Sequence, residues 1–105
     1  MVIFSLEYWR QEIGLIDPWV RAHNEPDTLG LVLCGLCWLS SGMCRKLEGD
    51  ERAEVVRDTR RIIHLMHDQM GPLWFRSHAI VVNGHVHHEE VAQIVESLLQ
   101  GIVPT

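Results

Sequence analysis

Positive charge is scarce in this sequence. Nine Lys and Arg stand against fourteen Asp and Glu in 105 residues, a formal net charge of −5. A sequence-independent hold on nucleic acid needs a basic surface to neutralise phosphates, so DNA and RNA are not expected partners. Cysteine is limited to three, an odd number that cannot close into a complete set of disulfides. No secretory signal opens the chain, because Glu7, Arg10 and Glu12 soon interrupt its apolar start. A reduced, cytoplasmic setting is therefore expected, with the thiols acting as small buried hydrophobes. Repeats and low-complexity segments are lacking. So are a GxSxG elbow, a glycine-rich phosphate loop and a dinucleotide fingerprint. Carboxylate pairs such as Asp50-Glu51 and Glu89-Glu90 fall at helix starts, where the helix dipole explains them. No nucleophile has a credible base beside it in the sequence. The expectation is a non-catalytic protein with no cofactor.

Charge of either sign is absent from Thr28 to Cys44, TLGLVLCGLCWLSSGMC, which holds all three cysteines. On a helix, Gly30, Cys34, Cys37, Ser41 and Cys44 recur at spacings of 4, 3, 4 and 3, a single stripe of small side chains. Leu29, Val32, Leu33, Leu36, Leu39, Met43 and Leu47 cover much of the remainder with bulk. The small stripe lets another backbone approach closely, and the uncharged surround predicts burial on most sides. The length is near the bottom of the range that spans a bilayer, about 17–25 residues, and Cys, Ser and Gly lower its hydrophobicity. The helices around it are amphipathic in the globular manner, so no membrane association is expected.

The rest of the chain divides at its punctuation. Val2, Leu6, Trp9, Ile13 and Ile16 predict an amphipathic opening helix, weakened at Gly14. Asp17-Pro18 reads as a fresh start, with Asp17 as cap and a short helix running from Trp19 to His23. Glu25-Pro26-Asp27 links to the uncharged helix, capped by Asp27 and ending near Leu47, with Arg45 and Lys46 in its last turn. After Gly49, Asp50 caps a helix over about 51–70, whose buried stripe is Val56, Thr59, Ile63, Met66 and Met70, widened by Val55 and Ile62. Gly71-Pro72 breaks the chain. Residues 73–82 read as a helix closed by Asn83-Gly84, with a short β-hairpin near residues 78–87 as the alternative. The last helix presents Val91, Ile94, Val95, Leu98 and Ile102. The sum over 1–105 is a single all-α domain, a compact bundle of about five helices.

Three groups could carry chemistry. Cys34 and Cys37 have the spacing of a redox or metal pair and Cys44 lies on the same face. The pair nevertheless sits two turns inside an apolar helix with no strand before it, unlike a thioredoxin-type motif. Six of the seven histidines fall between His64 and His88. His64 and His67 flank one helix face near Asp68, and His85, His87 and His88 resemble a chelating tract, but no helical zinc signature is matched. The basic residues from Arg45 to Arg61 are interleaved with acidic ones, which reads as a solvated, salt-bridged face. Aromatic residues are the more useful clue, since they dominate interface energies. Leu73-Trp74-Phe75 follows the Gly-Pro break as a loop-presented apolar cluster, and Tyr8 is the exposed neighbour of a buried Trp9.

The reading that follows is a small regulatory protein, a homodimer, that binds and inhibits or sequesters another protein such as a transcription regulator. The expected partner-binding residues are Tyr8, Trp19, Leu73, Trp74, Phe75, Arg57 and Arg61. The alternative is a metal or thiol-redox module built from Cys34, Cys37, Cys44, His64 and His67.

Overall fold

The computed structural model describes residues 4–102. They form α1 (Leu6–Ala22), α2 (Pro26–Lys46), α3 (Gly49–Met70), α4 (Pro72–Val82), a 3-10 turn (Asn83–His85) and α5 (Glu89–Ile102). Among the described residues there is no strand, so the hairpin alternative near residues 78–87 is not realised. Val2 and the side chain of Ile102, assigned above to buried stripes, lie outside the described residues.

The first helix corrects the sequence reading. Ser5 caps it, its hydroxyl accepting the Tyr8 amide at 3.2 Å, and it runs unbroken through Pro18 to Ala22. A proline inside a helix costs about 3 kcal/mol through a lost hydrogen bond and a clash with the carbonyl four residues back. Here both halves are fastened to α3. Before Pro18, the Trp9 indole N–H donates to Asp58 at 3.0 Å, and Arg10 grips Glu54 with two bonds of 2.7 and 2.8 Å. After it, Val20 is fully buried, and Gln69 Nε2 lies 2.8 Å from the Val20 carbonyl and 2.7 Å from that of His23. Asp17 is not a cap; it receives Arg21 of its own helix and Arg61 of α3. The acidic and basic residues of α3 thus do more than solvate a face, since several of them hold α1 in place.

The other starts are also shifted. Pro26 occupies the first position of α2, with Glu25 as cap and Asp27 within the first turn, where a proline lacks only an amide that would be unpaired anyway. Glu48, not Asp50, precedes α3. Gly71, at φ 93°, turns the chain from α3 into α4 in one residue, a conformation glycine adopts without penalty.

Helices α2 and α3 form an antiparallel spine on which the other helices pack. Val55, Val56, Thr59, Ile62, Ile63 and Met66 are buried as their period predicts, and Met70 is half-buried. Where the two helices meet, Ser40 donates to Thr59 at 2.7 Å and Thr59 donates to the Val55 carbonyl at 2.7 Å. On α5, Val91, Ile94 and Val95 are buried and Leu98 is half-buried. Among the described residues every buried side-chain N or O atom has a hydrogen-bond partner, as stable interiors require.

Candidate interaction surface

The two flanks of α2 are covered differently. Its small stripe faces α4 and the turn that follows. Gly30 lies under the His78 ring so closely that a Cβ there would stand 2.2 Å from Cδ2. The ring is held by stacking on Trp74, with centroids 4.8 Å apart, and by Nδ1 donating to the Trp74 carbonyl at 2.9 Å. Farther along the stripe, Ser41 donates to the Cys37 carbonyl at 2.7 Å and accepts the His87 amide at 3.2 Å. Helix α4 therefore runs beside α2 in the same direction, and the Trp74 indole N–H ties its start to the Pro26 carbonyl at 3.0 Å. Toward the α1 side, Phe4, just ahead of α1, covers Gly42, where a Cβ would stand 2.8 Å from its ring, and Ile16 and Trp19 are half-buried against the core.

Between these flanks α2 is open. Leu31, Gly35 and Trp38, spaced i, i+4 and i+7, are exposed on one side, with Leu31 75% and Trp38 52% accessible. A groove of about 300 Å³ runs along the α1 side, lined by Leu15, Ile16, Trp19 and Val32. A second of about 530 Å³ runs along the α4 side, lined by Gly30, Leu31, Cys34, His78, Val81 and His85 with Asp27 at its end. Apart from Asp27 none of these residues carries a fixed charge. The outer edge of α4 is apolar as well: Leu73 and Ile80, i and i+7, are 78% and 71% exposed. By length and composition α2 could cross a membrane, at a mean hydropathy of 1.4, yet 56% of that window is buried inside the protein.

The structure sorts the residues singled out in the sequence. Leu73 is exposed and Trp19 half-buried, stacked on His23 at 4.0 Å between centroids. Tyr8 is half-buried, and burial together with the Glu12 carboxylate raises its pKa. Arg57 is exposed. Two assignments are corrected. Phe75 is fully buried, and Trp74 retains only 9% of its surface. Both sit on the inner face of α4 rather than on a loop, because Pro72 starts the helix directly after Gly71. Arg61 is exposed and is paired with Asp17 and Asp58.

The cysteines are free thiols. Burial, and secondarily the neighbouring Cys34, pushes the Cys37 thiol up to about 12. Burial, and secondarily Glu90, pushes Cys44 up to about 11. A thiol so disfavoured as thiolate is a poor nucleophile at neutral pH. His64 is exposed, and His67 meets the edge of Phe75 at 5.4 Å. The described residues contain no group of three or more His, Cys, Asp or Glu that could hold a metal ion, so the set Cys34, Cys37, Cys44, His64 and His67 is not brought together.

The sequence reading left Leu15, Leu31, Trp38, Ile80 and Val81 out of its candidates. Leu31 and Trp38 carried a signal, being large residues seven apart beside a stripe of small ones. No family model matches the chain, and no curated protein or solved structure matches it either.

Proposed function

We propose that the protein is a small non-catalytic regulator that works as a homodimer in the cytoplasm, binding another protein such as a transcription regulator and inhibiting or sequestering it. One observation carries this reading. Leu15, Leu31, Trp38, Leu73, Ile80 and Val81 are each more than half exposed on a chain of only 105 residues. Grouped apolar exposure on this scale marks association surfaces.

The exposed residues form two groups, which suits a protein with two kinds of contact. One is the open face of α2 with its flanking grooves. The other is the outer edge of α4, where Leu73 and Ile80 bracket Arg76, an apolar-plus-arginine combination typical of interface anchors. The second group is assigned to the regulated partner.

The test is capture from an extract of the native host, comparing the unmodified chain with Leu73→Asp and Ile80→Asp, followed by assay of the captured protein's own activity. The expected result is one captured protein that the chain inhibits and that both variants fail to hold. A chain that sediments as a monomer at every concentration and captures nothing overturns the reading. Capture without inhibition overturns the regulatory part of it.

A further inference from the structure

The homodimer in that reading can be given a geometry, and the inference rests on it. The exposed charges of α2 are graded along its length, although Leu39 to Cys44, between Trp38 and Arg45, are buried. Asp27 stands at its N-terminal end, Arg45 and Lys46 at its C-terminal end, and no charge lies between. Asp27, Leu31, Cys34, Trp38 and Arg45 follow one another along one helical side at steps of 4, 3, 4 and 7. A second copy of this face laid parallel would set acid beside acid and base beside base. Laid antiparallel, it sets each acidic end against the other copy's basic end, and it opposes the two helix dipoles.

We propose that two copies pair through the open faces of α2, antiparallel about a two-fold axis passing between Cys34 and Gly35. That axis places Trp38 of each copy opposite Leu31 of the other, on the side where the 530 Å³ groove lined by Cys34, His78 and Val81 is open to receive the indole. Gly35 sits at the crossing with nothing within 4 Å of where its Cβ would be, while Phe4, which covers Gly42 farther along the same side, holds the two helices toward the long end of the usual 8–10 Å range. A shallow crossing of about 20° keeps the helix ends in register. At 1.5 Å per residue, Asp27 and the other copy's Arg45 are then offset along the axis by about 4.5 Å, within the reach of an arginine side chain. The pairing is isologous, so it closes at two copies.

Sedimentation velocity on the full chain tests this, with circular dichroism confirming helix content in every variant. The unmodified chain is expected to dimerise. Trp38→Ser, at a side chain more than half exposed, is expected to weaken the dimer on the order of tenfold to a hundredfold. Asp27→Arg and Arg45→Asp are each expected to weaken it about fivefold, and the two together to restore it. Leu73→Asp is expected to leave it unchanged. A dimer indifferent to Trp38→Ser overturns this geometry while leaving the homodimer intact. A double charge variant weaker than either single one overturns the antiparallel arrangement. A monomeric wild type removes both the geometry and the homodimer, and a monomer that floats with phosphatidylcholine vesicles assigns the open face to lipid instead.

Discussion

Two sides of α2 are alike in lacking charge and opposite in fate. The side bearing Gly30, Cys37, Ser41 and Cys44 is closed by α4 and the connection to α5, whereas the side bearing Leu31, Gly35 and Trp38 is left outside. Hydrophobicity does not separate them; side-chain size does, apart from the exposed Gly35. Small residues admit the chain's own backbone and rings to close range, while large ones hold neighbours off and leave grooves. The contrast holds for these two sides only, since the bulky Leu29, Leu33, Leu36 and Met43 are buried in the core on the remaining side.

The largest contrast lies between two residues in the first turn of α4. Phe75→Ala removes a fully buried ring and is expected to cost about 3–5 kcal/mol. Leu73→Gln, two positions away and 78% exposed, is expected to shift stability by less than about 0.5 kcal/mol. Urea melts on the two variants check the pair, and comparable losses would contradict the assignment of inner and outer faces.

The glycines of α2 sharpen the comparison. Gly30→Val must displace the His78 ring from its stack on Trp74, an overpacking expected to destabilise by about 1–3 kcal/mol. Gly35→Ala meets open space and is expected to stabilise the monomer by up to about 1 kcal/mol through helix propensity. Opposite signs at two glycines five residues apart, read by thermal melts of dilute protein, would establish which side of α2 the chain itself covers.

Much of the architecture was legible where hydrophobicity alternates with a helical period. The buried stripes of α3 and α5 follow from the spacing of Val56, Thr59, Ile63 and Met66 and of Val91, Ile94 and Val95. The continuity of α1 was not legible, because what carries it past Pro18 is Trp9 on Asp58, Arg61 on Asp17 and Gln69 on Val20, pairings with residues more than forty positions away. The faces of α4 were hidden for a different reason. Leu73-Trp74-Phe75 is apolar all round, so no periodicity distinguishes the exposed residue from the two buried ones. Uniform hydrophobicity likewise concealed the open side of α2.

The smallest expected effect concerns the charged side of the spine. Arg10 holds the Glu54 carboxyl below its ordinary range, and Arg21, with Arg61, does the same for Asp17. A carboxylate whose folded pKa is depressed contributes its stability above the unfolded value and loses it as pH falls through the folded one. Melting temperature is therefore expected to decline modestly as pH drops through about 4 and below. Glu54→Gln and Asp17→Asn should each flatten that decline, as the uncharged stretch of α2 contributes nothing to it.

The unequal placement of the four tryptophans has a practical consequence. Trp9 and Trp74 are enclosed, Trp19 is half-covered beneath a histidine ring, and Trp38 stands more than half in solvent. A water-soluble quencher such as iodide or acrylamide will extinguish the emission of Trp38 first. The molecule therefore carries an intrinsic fluorescent reporter on the open side of α2, and recovery of that quenched fraction would signal that the proposed pairing has covered it, without any label.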